Sequence, residues 1–439
     1  MDSLWMEQCE IPKFSVLTED VDTDVLVIGG GAAGILTAYF LNQAGVKCRL
    51  VEARNILSGM TQNTTAKITS QHGFIYSKLL NMFGEERAKM YYDANQQSLR
   101  QFSKMAQGID CDFEVKNNYV YSLDDHRTLY DELTALMKLN ISFDYEENLP
   151  LPFSTDGAIC FADQAQFHPM KFFISIARGL PVYENTFVQK LVFPDRTERH
   201  FTALTDKGKI HAEKVIVATH FPFLNSHGSH FLKMFQHRSY VLALSDAPNF
   251  DGMYIDASGY GLSLRNYKEY LLLGGGAHRT GKKGGNYTEL ACMANKYFPS
   301  AVECYRWAAQ DCMTLDHIPY IGQYSRHTPN LYVAAGFNKW GMTGSMTAAM
   351  LLKDLILEKE NEYTALFSPS RSILRPQLAV NAAEAVSNLM TFSTKRCPHM
   401  GCALKWNPSE HSWDCPCHGS RFTEEGRIIN NPAMRDMNL

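Results

Sequence analysis

Two short loops near the C-terminus carry the residue types most capable of chemistry: Cys397-Pro398-His399-Met400-Gly401-Cys402 and Cys415-Pro416-Cys417-His418. They read as C-x-H and C-x-x-H, so each offers one thiolate and one imidazole. A thiolate to one iron and an imidazole to the other, from each loop, would hold a [2Fe–2S] cluster. Cys397, Cys402, Cys415 and His418 could instead close a tetrahedral zinc site, and an empty site is the third alternative. Four of the eleven cysteines crowd between Cys397 and Cys417, while seven scatter between Cys9 and Cys312. That distribution favours metal chemistry in a reducing compartment over a disulfide framework.

A second constellation opens the chain. Asp24-Val-Leu-Val-Ile28 runs into Gly29-Gly30-Gly31-Ala32-Ala33-Gly34, a strand that turns through G-x-G-x-x-G into a helix. Gly29 permits the tight turn, Gly31 lets a pyrophosphate approach the backbone, and Gly34 allows close helix packing. Glu52 and Ala53 close the next strand, where a carboxylate can accept hydrogen bonds from ribose hydroxyls. Gly336-Phe-Asn-Lys-Trp-Gly341-Met342-Thr343 follows a further strand and opens a long helix. A helix N-terminus aimed at an isoalloxazine ring would stabilise negative charge on reduced flavin, which selects FAD over NAD.

From Asp22 to Glu358 the chain resembles the D-amino-acid-oxidase-like FAD oxidoreductases. The resemblance rests on the dinucleotide segment, Gly59 to Lys67, Phe167-His168-Pro169, Val215 to Thr219 and Asp316 to Gly322. It implies a flavin extended across the first domain, its ring facing a β-sheet substrate domain, and hydride transfer from a C–N or related C–H bond. Residues expected at the FAD are Gly29, Gly31, Ala32, Ala33, Gly34, Glu52, Ala53, Thr61, Thr64, Thr65, Ala66, Lys67, Val188, Ala218, Thr219, Gly336, Gly341, Met342 and Thr343. The hydroxyls of Thr61, Thr64 and Thr65 could equally cap turns and helices. Lys67 near the ring would favour the anionic reduced flavin. Arg265 matches the position of a carboxylate-binding arginine in amino-acid-oxidising relatives, as a guanidinium fork for two parallel hydrogen bonds. His278 is the candidate to take a proton from a substrate amine; the alternatives are a solvated or structural ion-pair arginine at a strand end and a structural histidine.

The tail resembles the cluster-binding part of Rieske proteins, with Cys397, His399, Cys415 and His418 as ligands and Pro432-Ala433 beyond them. The resemblance also aligns Cys402 and Cys417 with a loop-tying disulfide, though adjacent free thiols remain open. Ser420 is placed to donate to a cluster sulfur. Phe422 stands where high-potential relatives carry tyrosine, which points to the middle or lower Rieske range. Only Thr391 to Arg396 precede the first ligand loop, so the strands that usually lead into it are missing and the domain is shortened.

The elements that must position these groups read as α/β: a Rossmann-like FAD-binding domain with an interleaved antiparallel-sheet substrate domain, plus a small β-rich Rieske-like tail. Asp24–Ile28, Lys47–Val51, Lys214–Ala218 and Leu331–Ala335 read as short buried strands. Helices are expected over Ala32–Gln43, Thr343–Glu358 and Gln377–Met390, and Tyr240–Leu244 and Tyr270–Leu273 suit the antiparallel sheet. The oxidoreductase part is placed at 20–367, with FAD-binding pieces 20–85, 155–225 and 310–360 and substrate pieces 86–154 and 226–309. A linker and helix follow at 368–390, and the tail occupies 391–439. The formal net charge of −4 argues against nucleic-acid binding. The uncharged apolar run Val25–Leu41 is too short for a membrane span, and Met1–Glu10 lacks a signal-peptide pattern, so a cytoplasmic location is expected. The chemistry expected is oxidation of a small amine or amino acid, with electrons passed through FAD to the Rieske cluster and an unidentified one-electron acceptor. The alternatives are O2 as acceptor beside a degenerate or zinc-binding tail, and an inactive flavin- or metal-binding interaction protein.

Overall fold

Short β-branched runs alternating with glycine turns build the first layer. In the computed structural model, which describes residues 3–437 apart from Gln8, Thr197 and Tyr260, the strands Leu331–Ala335, Lys209–Val217, Val21–Ile28, Cys48–Val51 and Val182–Tyr183 lie parallel in that order. Tyr320–Gln323 adds an antiparallel edge. Alternation along the first strand decides what covers each face. Val25 and Val27 pack in one core with the helices Ala32–Gln43 and Gly341–Ile356. Leu26 and Ile28 pack in a second core with the ladder Val188–Val192 and Phe201–Thr205. The apolar run Val25–Leu41 is therefore strand, turn and helix. Among the described residues no helix is long and apolar enough to cross a membrane.

A nine-stranded sheet forms the second layer. Its main path is Val302–Thr314, Met234–Ser245, Tyr270–Arg279, Ser263–Tyr267, Met253–Asp256, Glu114–Ser122, Gly157–Gln166 and Lys67–Ile68. Every pairing is antiparallel except Met253–Asp256 with Glu114–Ser122. Gly157–Gln166 falls in a piece expected to bind FAD, yet it pairs along Glu114–Ser122 and so belongs to this sheet. Val302–Thr314 likewise runs through the expected boundary at 309/310. A strand's membership is set by its hydrogen-bonded neighbour, which can lie far away in the sequence.

The helix Pro376–Met390 starts with proline at its first turn, where the missing N–H costs nothing. It leads into the tail, an antiparallel meander of Lys405–Asn407, Ser412–Asp414, Arg421–Thr423 and Ile428–Asn430. Phe422, Leu404 and Ala433 fill its small core together with the four cysteines.

Candidate functional site

The glycine turn is tight because nothing larger fits. A Cβ on Gly34 would stand 1.9 Å from Gly29 O, and one on Gly29, at φ +113°, would stand 2.5 Å from Ala218 O. Gly31 meets only Thr61 Oγ1, at 3.6 Å, leaving room above the helix N-terminus. Thr61 Oγ1 accepts the Ala32 N–H at 3.0 Å, so this hydroxyl caps the helix from another segment. The Glu52 carboxylate accepts the N–H groups of Gly30 at 2.7 Å and Arg54 at 2.9 Å, just before Ala53. Burial raises its pKa against the pull of those donors. Ala218 donates to Ile28 O at 2.8 Å, Thr219 Oγ1 to Phe221 O at 2.9 Å, and Val188 packs with Ile28, Val51 and Val217. Ala33 is buried in the first turn of the helix.

On the far side, Gly336 has φ +75° and a Cβ there would lie 2.4 Å from Thr314 Cγ2. Asn338 and Lys339 follow with φ of +52° and +75°, a strained pair for non-glycine residues. Asn338 is pinned by its N–H to Cys312 O at 3.0 Å and by Thr314 N to its Oδ1 at 2.7 Å. A Cβ on Gly341 would meet nothing within 4 Å, so the helix opens onto free space. Met342 is buried in the core. Thr343 Oγ1 lies 3.3 Å from Thr69 O and 3.0 Å from His72 Nε2. His72, stacked on Trp340 at 4.6 Å, is held neutral by burial, its pKa pushed down to about 3.

Three groups facing this opening escaped the sequence reading. His237 and Asp311 stand opposite each other on paired strands, and Lys339 keeps solvent access with protein on most sides. Burial raises the Asp311 pKa, partly offset by Lys339. Burial followed by the Lys339 charge pushes His237 to about 3. The only signal in the sequence was Lys339 within the glycine motif, since His237 and Asp311 meet through strand register.

In the substrate sheet Lys67 Nζ donates to Ser263 Oγ at 2.6 Å and lies 3.5 Å from Thr65 Oγ1. Thr64 Oγ1 accepts the Ala66 N–H at 2.9 Å, which is the turn-capping role, and supports the positive φ of Ala66 at +54°. Arg265 is fully buried. Its Nη1 donates to Ala66 O at 3.2 Å, its Nε and Nη2 have no partner among the described residues, and Trp5 lies 5.3 Å away under the guanidinium. Among the described residues no carboxylate forms an ion pair with Lys67 or Arg265. Burial, and then the Arg265 charge, lowers the Lys67 pKa to about 7, and burial lowers that of Arg265 to about 9.

His278 is not brought to this pair. A bulge between Arg238 and Tyr240 shifts the register of Tyr270–Arg279, and Gly276 takes φ +65°. His278 therefore sits opposite Arg238, its ring stacked 5.8 Å from Tyr240 and its Nδ1 3.0 Å from Gly276 O. A one-residue slip moves a side chain to the other face of a sheet.

The tail brings its four expected ligands together. The thiols of Cys397 and Cys415 share a hydrogen bond, which, with backbone N–H groups and the Ser420 hydroxyl and against burial, lowers the Cys397 pKa; the same bond, with burial, raises that of Cys415 against its own backbone N–H donors. The rings of His399 and His418 stand 4.9 Å apart, and both Nδ1 atoms are buried without a partner. Cys402 and Cys417 are joined as a disulfide. That bond removes Cys402 from a zinc set. Two thiols with N–H donors and two orphaned imidazole nitrogens match the donor set of a mixed-ligand iron–sulfur centre.

The tail is clamped onto the body. Gln236 Nε2 donates to His418 O at 2.7 Å and Gln310 Nε2 to Gly419 O at 2.8 Å. Arg279 Nε reaches Pro416 O at 2.9 Å, and Asn431 Nδ2 reaches Phe221 O at 2.8 Å. Arg238 pairs with Glu410, which Arg421 also holds. His399 Nε2 lies 2.9 Å from Asn225 Oδ1. Gln236 precedes His237, and Gln310 precedes Asp311, so one pair of strands separates the ligand loop from the opening beside Lys339.

A dinucleotide cradle, an antiparallel substrate sheet and a thiolate–imidazole loop pair define a flavin-dependent redox protein carrying its own iron–sulfur module. The family model for FAD dependent oxidoreductases (DAO) matches residues 24–355, and that for the Rieske [2Fe-2S] domain matches residues 371–438. The chain belongs to the DAO family of FAD dependent oxidoreductases and carries a C-terminal Rieske domain. It is 33% identical to YhfW of Bacillus subtilis (strain 168), named as a Rieske 2Fe-2S iron-sulfur protein, across 99% of this chain and 97% of that one. The tail is 41% identical over 51 residues to the chloroplastic cytochrome b6-f complex iron-sulfur subunit of Oryza sativa subsp. japonica, covering 11% of this chain and 23% of the subunit. Glycine oxidase from Geobacillus kaustophilus shares the fold, with TM-score 0.67 at 20% identity over 80% of this chain and 99% of that one. So does L-proline dehydrogenase from P. horikoshii, with TM-score 0.66 at 19% identity over 81% and 98%. FAD and a [2Fe–2S] cluster are the cofactors of these two domains.

Proposed function

We propose that this chain oxidises a small amine- or amino-acid-like substrate bearing a carboxylate, with electrons passed from FAD to the Rieske cluster and on to a one-electron acceptor. When bound, FAD supplies an acceptor for a substrate hydride and the cluster a one-electron carrier. The observation that carries the reading is a pair of cations, fully buried Arg265 and half-buried Lys67, with no counter-ion among the described residues and two Arg265 nitrogens without a partner there. A buried cation without a counter-ion is costly, and a carboxylate binding there satisfies both groups at once. Arg265 Nε and Nη2 give it two parallel donors, and Lys67 adds a third. Binding an anion raises the Lys67 pKa and so keeps it charged above pH 7.

Asp311, its pKa raised by burial and held back in part by the Lys339 charge, would take up a proton on its carboxylate. Gly29, Gly31 and Gly34 would receive the pyrophosphate and Glu52 the ribose. The ring would lie before Gly336 and Gly341, with Cys397, His399, Cys415 and His418 holding the cluster. The names of glycine oxidase, L-proline dehydrogenase and the L-amino acid deaminase of Proteus vulgaris support an amino-acid-like substrate.

The test is anaerobic mixing of purified holoprotein, after iron and sulfide analysis, with amino acids and N-alkyl amino acids. The expected result is flavin bleaching followed by cluster reduction, with Cys397→Ser keeping the first and losing reduction of a one-electron dye. Peroxide released at full rate by Cys397→Ser in air would overturn the electron route. Failure of every such substrate to bleach a fully loaded flavin would overturn the substrate class.

A further inference from the structure

We propose that the outer edge of the tail, where Val386, Leu389, Met390, Phe392 and Met400 stand in solvent, is the docking face for an acidic one-electron carrier protein. This rests on the reading that electrons reach the cluster ligands. The two ligand loops have opposite surroundings. The second, Cys415–His418, is enclosed by the body: Arg279 takes the carbonyls of Pro416 and Cys417, Gln236 takes that of His418, and Phe221 and Phe231 flank the His418 ring. A side chain on Gly281 would strike Pro416 N at 2.7 Å, so no partner can enter there. The first loop, Cys397–Cys402, faces outward, with Met400 at its tip 41% exposed.

Beside that tip the apolar side chains are bare. Phe392 is 95% exposed, Met390 81%, Val386 55% and Leu389 44%. Positions 386, 389 and 390 share one helix face by their spacing. The patch and the loop form one hydrogen-bonded unit: Ala403 N donates to Asn388 O at 2.9 Å, and Arg396 Nη1 donates to Leu389 O at 3.2 Å and Gly401 O at 2.7 Å. A contiguous exposed apolar patch beside a redox centre marks an interaction site.

Charge selects the partner. Beside the patch stand Arg396, whose guanidinium donates to Leu389 O, and Lys395, whose carbonyl accepts the N–H of Leu404 at 3.0 Å and so draws in the neighbouring Lys405; among the described residues no carboxylate forms an ion pair with any of the three. The single acid of the helix, Glu384, is neutralised by Lys282 at 2.7 Å. This local basic excess in a chain of net charge −4 complements an acidic surface and steers it to the loop. With a cluster held by Cys397, His399, Cys415 and His418, one electron would pass to each oxidised carrier, so two carriers are reduced per two-electron oxidation of substrate and the two protons released on C=N formation go to solvent.

The experiment starts from holoprotein reduced with dithionite and freed of excess reductant, so that it does not depend on the substrate. It is mixed with an oxidised acidic blue-copper protein or with a basic c-type cytochrome, and each is followed by absorbance. The acidic carrier is expected to be reduced saturably, at a rate falling about tenfold between about 20 and 300 mM salt. Met390→Ser/Phe392→Ser and, separately, Lys395→Glu/Lys405→Glu are expected to slow it about tenfold, while a small uncharged quinone is still reduced at the wild-type rate. Equal rates with the basic carrier, or wild-type rates in both variants, would overturn the proposal. So would slow carrier reduction combined with binding to phosphatidylcholine–phosphatidylglycerol vesicles that Met390→Ser/Phe392→Ser abolishes, which would make the patch a membrane contact. A cluster that reduces the carrier but is never reduced by substrate would sink the electron-entry reading alone.

Discussion

Two arginines in the nine-stranded sheet are buried to nearly the same degree, Arg238 at 5% exposure and Arg265 at 0%, and their surroundings differ completely. Arg238 meets Glu410, a carboxylate brought by the tail, which Arg421 holds from the other side at 2.9 Å. Among the described residues Arg265 meets one carbonyl, an indole face and a second cation, and two of its nitrogens find no partner. A buried charge paired across a domain boundary holds two units together. A buried charge left unpaired is a standing cost that a ligand can relieve. The first marks where the tail is fastened, and the second is where we propose that a substrate anion is received.

The largest effect expected from disturbing this contrast is on the paired side. Arg238→Ala leaves Glu410 buried with half its compensation, at a cost of about 3–5 kcal/mol. Limited proteolysis should then cut the chain between Phe367 and Pro376 and release the tail. Acid should do nearly as much. Burial opposes ionisation of Glu410, but Arg238 and Arg421 outweigh it and hold the carboxyl at about 2, below its ordinary 4.5. Because the folded pKa is the lower, this stabilisation is complete above pH 4.5 and is lost as pH falls toward 2. The loss is roughly 3 kcal/mol, read as tail release in wild type and as a flatter acid profile in Glu410→Gln.

On the unpaired side the signs reverse. Arg265→Met removes an uncompensated cation, so the melting temperature should hold or rise while kcat/KM for a carboxylate substrate drops about a hundredfold. A lowered melting temperature with unchanged kcat/KM would make Arg265 structural and erase the contrast. The smallest effect expected is the pH response of Lys67. With its pKa lowered to about 7, charge is lost as pH rises through that value. KM should therefore climb by up to about tenfold between about pH 7 and 8, and Lys67→Met should flatten the profile.

What was legible in the sequence was local. The turn through Gly29 and Gly34 was readable because its close approaches are between residues a few positions apart or on adjoining strands, where only glycine fits. The helix Ala32–Gln43 begins and ends where its apolar pattern predicts. The meeting of Cys397 with Cys415 and of His399 with His418 was foreshadowed because each loop carries its own thiol and imidazole at fixed spacing. His278 was misplaced relative to Arg265 because a single bulge at Gly276 turned it to the other face, and neighbouring residues do not announce a bulge. Asp311 and His237 stayed hidden because only pairing of two distant strands makes them neighbours.

By itself, then, the sequence determined the dinucleotide cradle, the thiol and imidazole on each tail loop and the α/β class, all consequences of short-range backbone sterics and residue spacing. Tertiary structure alone decided that Cys402 pairs with Cys417, that Gly157–Gln166 joins the substrate sheet, and that Arg238 finds Glu410 while Arg265 finds no acid. Burial and long-range pairing are properties of the whole packed chain, and the energy of a charge depends on what the rest of that chain places beside it.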